Sequence, residues 1–399
     1  MNILLVSQEY PPETARGGIG SQTLAKAKGL AALGHKIFVI SRSIDARRYE
    51  QTTGHICVIR IPGMDSILPD MTDTVQWITH SVAVAAEIAA LQQRVNIDLI
   101  DFPEWAAEGY VYLLNRTEWN NVPVVIHLHG PLVMFAHAMN WPDIESTFYR
   151  YGTQMEAACV QLADAVYSSS ACSARWIQKH YDPLRMNIPT IHTGVDTQIF
   201  VLNKVNKNEH PTIVFAGKFV QNKGVEELVE AASRLVNDFP TLRLRMIGRG
   251  EENIVDQLRN RARQLGASEL LEFPGYMDQV ALVQEFSQAH IFAAPSYYEG
   301  GPGFVYLEAM ACGLPVVGCS GSGVDEVVTS GKNGFLVPPK DVNALHEALR
   351  KLLSDSKMMS EMGDSARQYV VQEADSSICI KRLESFYSSV VDSQSKIKN

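Results

Sequence analysis

The sequence predicts an α/β chain of two doubly wound domains, and three observations carry that expectation. The chain has 399 residues, too long for one ordinary core and suited to two domains of roughly 150–200 residues each. Short apolar runs alternate with helical periods along nearly its whole length. Most of those runs end in a glycine-rich or polar loop, the edge where open parallel sheets bind ligands.

Composition narrows the class. Apolar residues make up 46% and charged residues 20%, as in globular proteins. A formal charge of −9 argues against nucleic acid as the main partner, because phosphate-backbone binding needs dense Lys and Arg. Cys57, Cys159, Cys172, Cys312, Cys319 and Cys379 form no C-x-x-C pair and no metal-ligand spacing, so they read as reduced core thiols of a cytoplasmic protein. The chain opens on a strand pattern rather than a signal peptide. No apolar run reaches the ~18–20 residues of a membrane span. Peripheral contact with the inner face of a membrane stays open, although no helix shows the Lys/Arg-rich face that would predict it.

In the first half, the strand Asn2–Val6 is followed by Pro11-Pro12 and by Arg16-Gly17-Gly18-Ile19-Gly20, where a helix begins that stops at Gly34. A strand at Lys36–Ile40 completes a β-loop-α-β unit. Gly18 and Gly20 suit close approach of the backbone to a ligand, but no third glycine stands at the offset a dinucleotide fingerprint needs. Strands follow at Ile56–Ile61 and Ile97–Ile100, with a long helix over Val75–Val95 between them. The second of these strands leads into Asp101-Phe102-Pro103-Glu104-Trp105. The strand Val122–Ile126 ends in His127-Leu128-His129-Gly130, which makes His129 a candidate site residue, while His127, on the same face but deeper, reads as a hydrogen-bonded core histidine. The apolar segment Pro131–Trp141 reads equally as acceptor-binding surface or packed core. After a helix over Met155–Ala163 and a strand at Ala165–Tyr167, Ser168-Ser169-Ser170 suits a helix cap. A further strand end is expected at Ile191–Asp196.

The polar, aperiodic stretch Asn203–His210 is the expected linker. Beyond it, the strand Thr212–Gly217 gives way to Lys218-Phe219-Val220-Gln221-Asn222-Lys223-Gly224 at a helix start. Two lysines there could clamp a diphosphate with help from the helix terminus, or simply be solvated. Strands at Leu242–Ile247 and Leu270–Phe273 alternate with helices running to Leu265 and Ala289. The run Ile291–Ala294 opens the densest stretch, Pro295–Pro315. A glycine-rich turn there precedes a helix ending at Gly313, so outward-pointing amides can bind phosphate or sugar oxygens. Glu299 and Glu308 flank those amides, a combination that suits a sugar nucleotide. Pro315–Val317 reads as a strand, Ser320–Glu326 as another glycine-rich loop, and Gly331-Lys332-Asn333-Gly334 as a turn. Amphipathic helices over Val342–Leu353 and Ser376–Val391 close the chain.

These motifs resemble the retaining glycosyltransferase family 4. The resemblance rests on Pro11-Pro12 with Gly18-Ile19-Gly20, on Gly34-His35, Gly194-Val195-Asp196, and Gly217-Lys218 with Lys223-Gly224. It also rests on Pro295-Ser296 through Glu308-Ala309-Met310-Ala311-Cys312-Gly313-Leu314-Pro315-Val316-Val317. It implies the GT-B architecture, two Rossmann-like doubly wound domains with a cleft between them. Residues 1–200 would bind the acceptor, with helix 376–399 packing back on them, and 201–375 would bind the nucleotide sugar. It implies transfer of a hexose, glucose from UDP-glucose by default and GDP-mannose next, to a saccharide or lipid-linked saccharide acceptor in glycan synthesis. No cofactor and no metal are implied, and closure of the cleft would exclude water.

By the same resemblance, Gly18 and Gly20 approach the donor diphosphate or acceptor, and His129 sits near the transferred sugar. Lys218 and Lys223 hold the diphosphate, Glu308 the ribose hydroxyls, and Tyr276 lies near the base. Glu299 with the amides of Gly301, Gly303 and Phe304 meets the donor sugar. Three departures stand out. Lys218 replaces the usual Arg, leaving a point charge for a bidentate fork. Eight residues separate Glu299 from Glu308, one more than usual. The loop ending at Glu326 departs from its family pattern. Two rivals remain: a nucleotide-sugar 2-epimerase and a non-catalytic sugar-nucleotide-binding protein on the same fold.

Overall fold

The computed structural model describes residues 1–14, 18–45, 47–63, 71–117, 119–181, 187–202 and 207–397, with side chains to 394. Arg16 and Gly17 of the expected glycine loop and residues 203–206 of the expected linker lie outside the described residues. The chain forms two compact units, Met1–Thr193 with Ser376–Asn399, and Gly194–Asp375. The first crossing therefore precedes the expected 203–210 linker.

The first unit runs β1 (Asn2–Val6), α1 (Gly18–Ala32), β2 (Lys36–Arg42), β3 (Tyr49–Thr53), β4 (Ile56–Ile61), α2 (Asp73–Gln92) and β5 (Leu99–Pro103). It continues through α3 (Tyr110–Leu114), β6 (Val124–Leu128), α4 (Leu132–Met139), α5 (Thr147–Leu162), β7 (Ala165–Ser168) and α6 (Ala171–His180). Its sheet order is β3-β4-β2-β1-β5-β6-β7, parallel except for β3 against β4. Strands of such a sheet are buried on both faces. Leu4 and Val6 of β1 accordingly enter one core, while Ile3 and Leu5 enter the other.

The second unit runs β8 (Thr212–Phe219), α7 (Val225–Arg234), β9 (Arg243–Gly250), α8 (Glu252–Gln264), β10 (Leu271–Gly275), α9 (Gln279–Gln288) and β11 (Ile291–Ala293). Then come α10 (Phe304–Ala311), β12 (Val316–Cys319), β13 (Gly334–Val337), α11 (Val342–Ser354) and α12 (Ser356–Glu373). The order β10-β9-β8-β11-β12-β13 is wholly parallel. Counted along each unit, leaving out β3, both sheets have the order 3-2-1-4-5-6, which reverses beside the first strand and leaves a ligand crevice at the strands' carboxyl ends. These are the Rossmann-like halves the sequence leads one to expect.

The last helix, α13 (Ser376–Ile397), returns to the first unit. Its Ile380, Leu383, Tyr387 and Val390 join α1's Ala27 and Leu30 in one core. Its Tyr387 hydroxyl also donates to buried Asp101. The same carboxylate accepts from Tyr167 at 2.8 Å and from Lys26 at 3.1 Å.

Several elements differ from expectation, among them helices α3 and α4, which fall where no element was expected. Tyr49–Thr53 forms an unread edge strand, Gly334–Val337 is a strand rather than the end of a turn, and Ser356–Glu373 is a separate helix. Ile191–Asp196 is no strand; Thr190 makes one isolated bridge to Ser168. Ser170 caps α6 by accepting from the Ser173 amide. The six cysteines are free thiols. Among the described residues no helix is long and apolar enough to cross a membrane.

Candidate active site

In the second unit the reversal of strand order falls between β8 and β11. Lys218 stands exposed near the end of β8, and Lys223 closes the short 3-10 turn Gln221–Lys223 that follows. Gly224 comes next with φ +65°, and a Cβ there would lie 2.1 Å from the Pro295 carbonyl oxygen. Only glycine permits so close an approach of the β8 loop to the β11 loop. The Tyr297 amide reinforces it by donating to the Asn222 carbonyl at 2.9 Å. One result is an ion pair, Lys223 Nζ to Glu299 Oε1 at 2.5 Å. The loop after β12 joins the same edge, the Gly323 amide donating to the Glu299 carbonyl at 2.8 Å.

The glycine-rich turn holding Gly301 leads to Gly303, which caps α10 with φ +71°; Phe304 is its first helical residue. The first-turn amides of a helix have no intrahelical acceptor and carry partial positive charge. Glu308, one turn further, is half-buried, and desolvation pushes its carboxyl up to about 7. No described side chain or amide donates to that carboxylate, so its acceptor capacity is open to a ligand's hydroxyls. Tyr276, 68% exposed just past β10, carries the Arg249 guanidinium 5.0 Å from its ring centre.

In the first unit the reversal falls between β1 and β5. Gly18 begins α1 with open space around it, whereas Gly20 is buried and a Cβ there would meet Glu9 Cβ at 3.0 Å. Packing of the chain itself therefore accounts for Gly20. His129 follows β6. Its amide donates to Glu104 at 2.7 Å and the Gly130 amide donates to the same carboxylate at 2.5 Å. Glu104 is fully buried, and desolvation pushes it up to about 7 against the pull of those amides. The His129 ring is held well below its ordinary pKa by burial and by Lys26, and its buried Nδ1 has no partner among the described residues. A neutral imidazole in this state offers a donor or an acceptor to a substrate.

Beside it, His127 Nδ1 lies 3.2 Å from Lys26 Nζ and Nε2 lies 2.8 Å from Ser169 Oγ. Lys26 has only protons to give, so His127 accepts at Nδ1 and donates from Nε2. Its ring stacks on Tyr167 and sits 3.9 Å from His129, fixing the floor beneath it. The α4 start is held in the same way, Glu156 accepting from the Leu132 amide at 2.9 Å and from Tyr181.

Lys223 and Glu299 are thus brought together, with Gly301, Gly303, Phe304 and Glu308 on the same strand–turn–helix. Sequence reasoning gave no role to Glu104 or Arg249. Their only signals were position, Glu104 at a strand end before Trp105 and Arg249 between two glycines.

Two family models match the chain, glycosyltransferase family 4 over residues 16–199 and glycosyl transferases group 1 over residues 198–369. A GDP-mannose-dependent alpha-(1-6)-phosphatidylinositol monomannoside mannosyltransferase of Mycolicibacterium smegmatis is 31% identical over 389 residues, 92% of this chain and 94% of its own. A glycogen synthase of Mycobacterium tuberculosis is 26% identical over 389 residues, 94% and 91% of the two. The crystal structure of Anabaena HepE in complex with UDP shares the fold, with a TM-score of 0.74 at 18% identity over 98% of this chain and 100% of its own. The parallel sheets with their reversed strand order, and family matches that together span nearly the whole chain, establish a GT-B glycosyltransferase that belongs to glycosyltransferase family 4.

Proposed function

We propose that this glycosyltransferase moves a hexose from a nucleotide diphosphate sugar to a saccharide or glycolipid acceptor with retention at the anomeric carbon. The observation that carries the reading is the convergence in the second unit of Lys223, Glu299, the α10 amides and Glu308 at the β8/β11 reversal. The diphosphate would bind Lys218, Lys223 and the first-turn amides, and these cations and dipoles would stabilise its developing charge as it leaves. Glu308 would accept from the ribose hydroxyls, which supply the donors its carboxylate lacks. Tyr276 with Arg249 would flank the base.

In the transfer step the bond from C1 to the phosphate oxygen breaks and the acceptor oxygen bonds C1 on the same face. The acceptor proton passes to the departing phosphate, so the step needs neither a protein nucleophile nor a metal. Glu299 and the neighbouring amides would hold the donor sugar. His129, kept neutral, would meet the transferred sugar as a hydrogen-bonding partner. A shelf of Trp105, Phe135 and Trp141, with ring centres 5.5 and 6.4 Å from Trp105, supports a pyranose acceptor, whose C–H faces pack on aromatic rings.

Glucose from UDP-glucose is the default donor, and the GDP-mannose in the mycolicibacterial relative's name makes that donor the second reading. A thermal-shift panel of UDP and GDP sugars distinguishes them, since a ligand at about 100 times its Kd stabilises by about 2.7 kcal/mol. Lys223→Ala should lower the rate of diphosphate release roughly 100-fold with the fold intact; full activity in that variant would sink the clamp. Product analysis separates transfer from epimerisation of the nucleotide sugar and from binding without turnover.

A further inference from the structure

At the opposite edge of the first unit's sheet, away from the strands' carboxyl ends, lies a pocket of about 380 Å³ between the end of α2, the approaches to β5 and β6, and α13. That size is within the range of small-ligand sites. Trp119 stands at its wall with 94% of its surface exposed. The Trp119 turn is shaped locally, the Asn120 amide donating to the Thr117 carbonyl and to its hydroxyl, both at 3.2 Å. An indole exposed to this degree against a pocket has no role in packing this unit.

The rest of the wall is unusually rich in carboxamides. Gln92 and Asn120 face each other as a reciprocal amide pair at 3.2 and 3.4 Å, and Asn96, Asn121 and Gln394 add three more, with Asn121 Oδ1 accepting from Arg116 and Gln394 Nε2 donating to Asp164 at 2.7 Å. Gln92 gives its other Nε2 proton to the Tyr112 hydroxyl at 3.4 Å, so what the pair leaves for a ligand is the second proton of Asn120 Nδ2 and the remaining lone pairs of the two amide oxygens. Asp98 accepts the Asn2 amide through Oδ2 at 2.7 Å, and its other oxygen can accept a hydroxyl. A flat aromatic face, planar amides and one carboxylate form a lining for a ligand that is apolar on its ring faces and dense in hydroxyls at its rim. The same carboxylate disfavours an anion.

We propose that this pocket is a second, non-catalytic site for a neutral glycan, with Trp119 as the stacking platform. It would hold a saccharide chain on the enzyme at a point remote from the β1/β5 reversal. The proposal does not depend on which donor the enzyme uses.

The test is affinity electrophoresis of the full chain in native gels containing maltodextrin, a soluble β-glucan or a mannan, with alginate as the anionic control. At least one neutral glycan should retard the protein. Trp119→Ala should weaken that retardation by roughly tenfold in apparent Kd, about 1.4 kcal/mol, and leave the rate of diphosphate release at saturating donor unchanged. Retardation of Trp119→Ala equal to wild type, no retardation by any neutral glycan, or retardation by alginate alone would each overturn the proposal. Donor thermal shifts measured on the same preparations separate this outcome from failure of the transferase reading.

Discussion

Lys223 and Glu299 pair at 2.5 Å, so one of the three ammonium donors is already given to a carboxylate and the others remain for a diphosphate. This pairing is partly legible: both residues read as site candidates from their motifs, yet 75 residues separate them in the chain and no local pattern announces their contact. Glu104 shows the limit more sharply, because its function lies in accepting the amides of His129 and Gly130, and backbone partners leave no mark in a sequence. Its carboxyl also supplies a pH signature. The native group keeps its proton up to about 7, against an ordinary value of 4.5, so between those values the native state binds more protons than the unfolded one. Stability must then fall as pH rises from about 4.5 to about 7 and stay lowered above it, by at most about 3 kcal/mol from this residue. Glu156, raised by burial as well, adds a slope of the same sign. Chemical denaturation at a series of pH values should therefore show a shallower decline in Glu104→Gln than in wild type; identical slopes would remove the charge from the account.

Elements were legible where their packing uses large side chains and obscure where it does not. Helix α12 buries Met362, Gly363, Ala366 and Val370, a stripe half of which is glycine and alanine. A Cβ on Gly363 would lie 2.3 Å from the Gly313 carbonyl oxygen, so this helix sits close because a side chain is missing, which apolar periodicity cannot register. Strand β3 is polar and mostly exposed, so it lacks the alternation that marks a half-buried strand. Contact between α1 and α13 follows the same rule as α12. A Cβ on Gly29 would lie 2.5 Å from Ile380 Cγ1, and Ile380 is buried in the core that α13 completes. Replacing a mid-helix glycine with alanine normally gains about 1 kcal/mol, whereas overpacking a core costs about 1–3 kcal/mol. Gly29→Ala should therefore be destabilising by thermal melting, and Ile380→Val should recover part of the loss in the double variant. A net gain in Gly29→Ala would mean that α13 yields at little cost.

For the whole molecule, the architecture could be read because parallel sheets covered on both faces require repeated apolar runs, and each return of the chain requires a helix. The return of α13 is a different matter. The Ser376–Val391 helical pattern was clear, but its partner is fixed by Tyr387 reaching Asp101 across 286 residues, a placement that here rested on resemblance alone. The chain thus crosses between units twice, at Thr193–Gly194 and at Asp375–Ser376, and the core of the second unit shares no residue with either core of the first. Each unit should consequently respond to its own ligand. If the donor nucleotide is held by the β8/β11 edge, UDP at about 100 times its Kd stabilises the second unit by about 2.7 kcal/mol. For a unit of this size that is a rise of roughly 5–11 °C in its midpoint. Differential scanning calorimetry of the full chain should show one component moving by this amount and the other moving far less, with the shift diminished in Lys223→Ala. Equal movement of both components would mean that the units unfold as one, and an undiminished shift in the variant would place the nucleotide elsewhere.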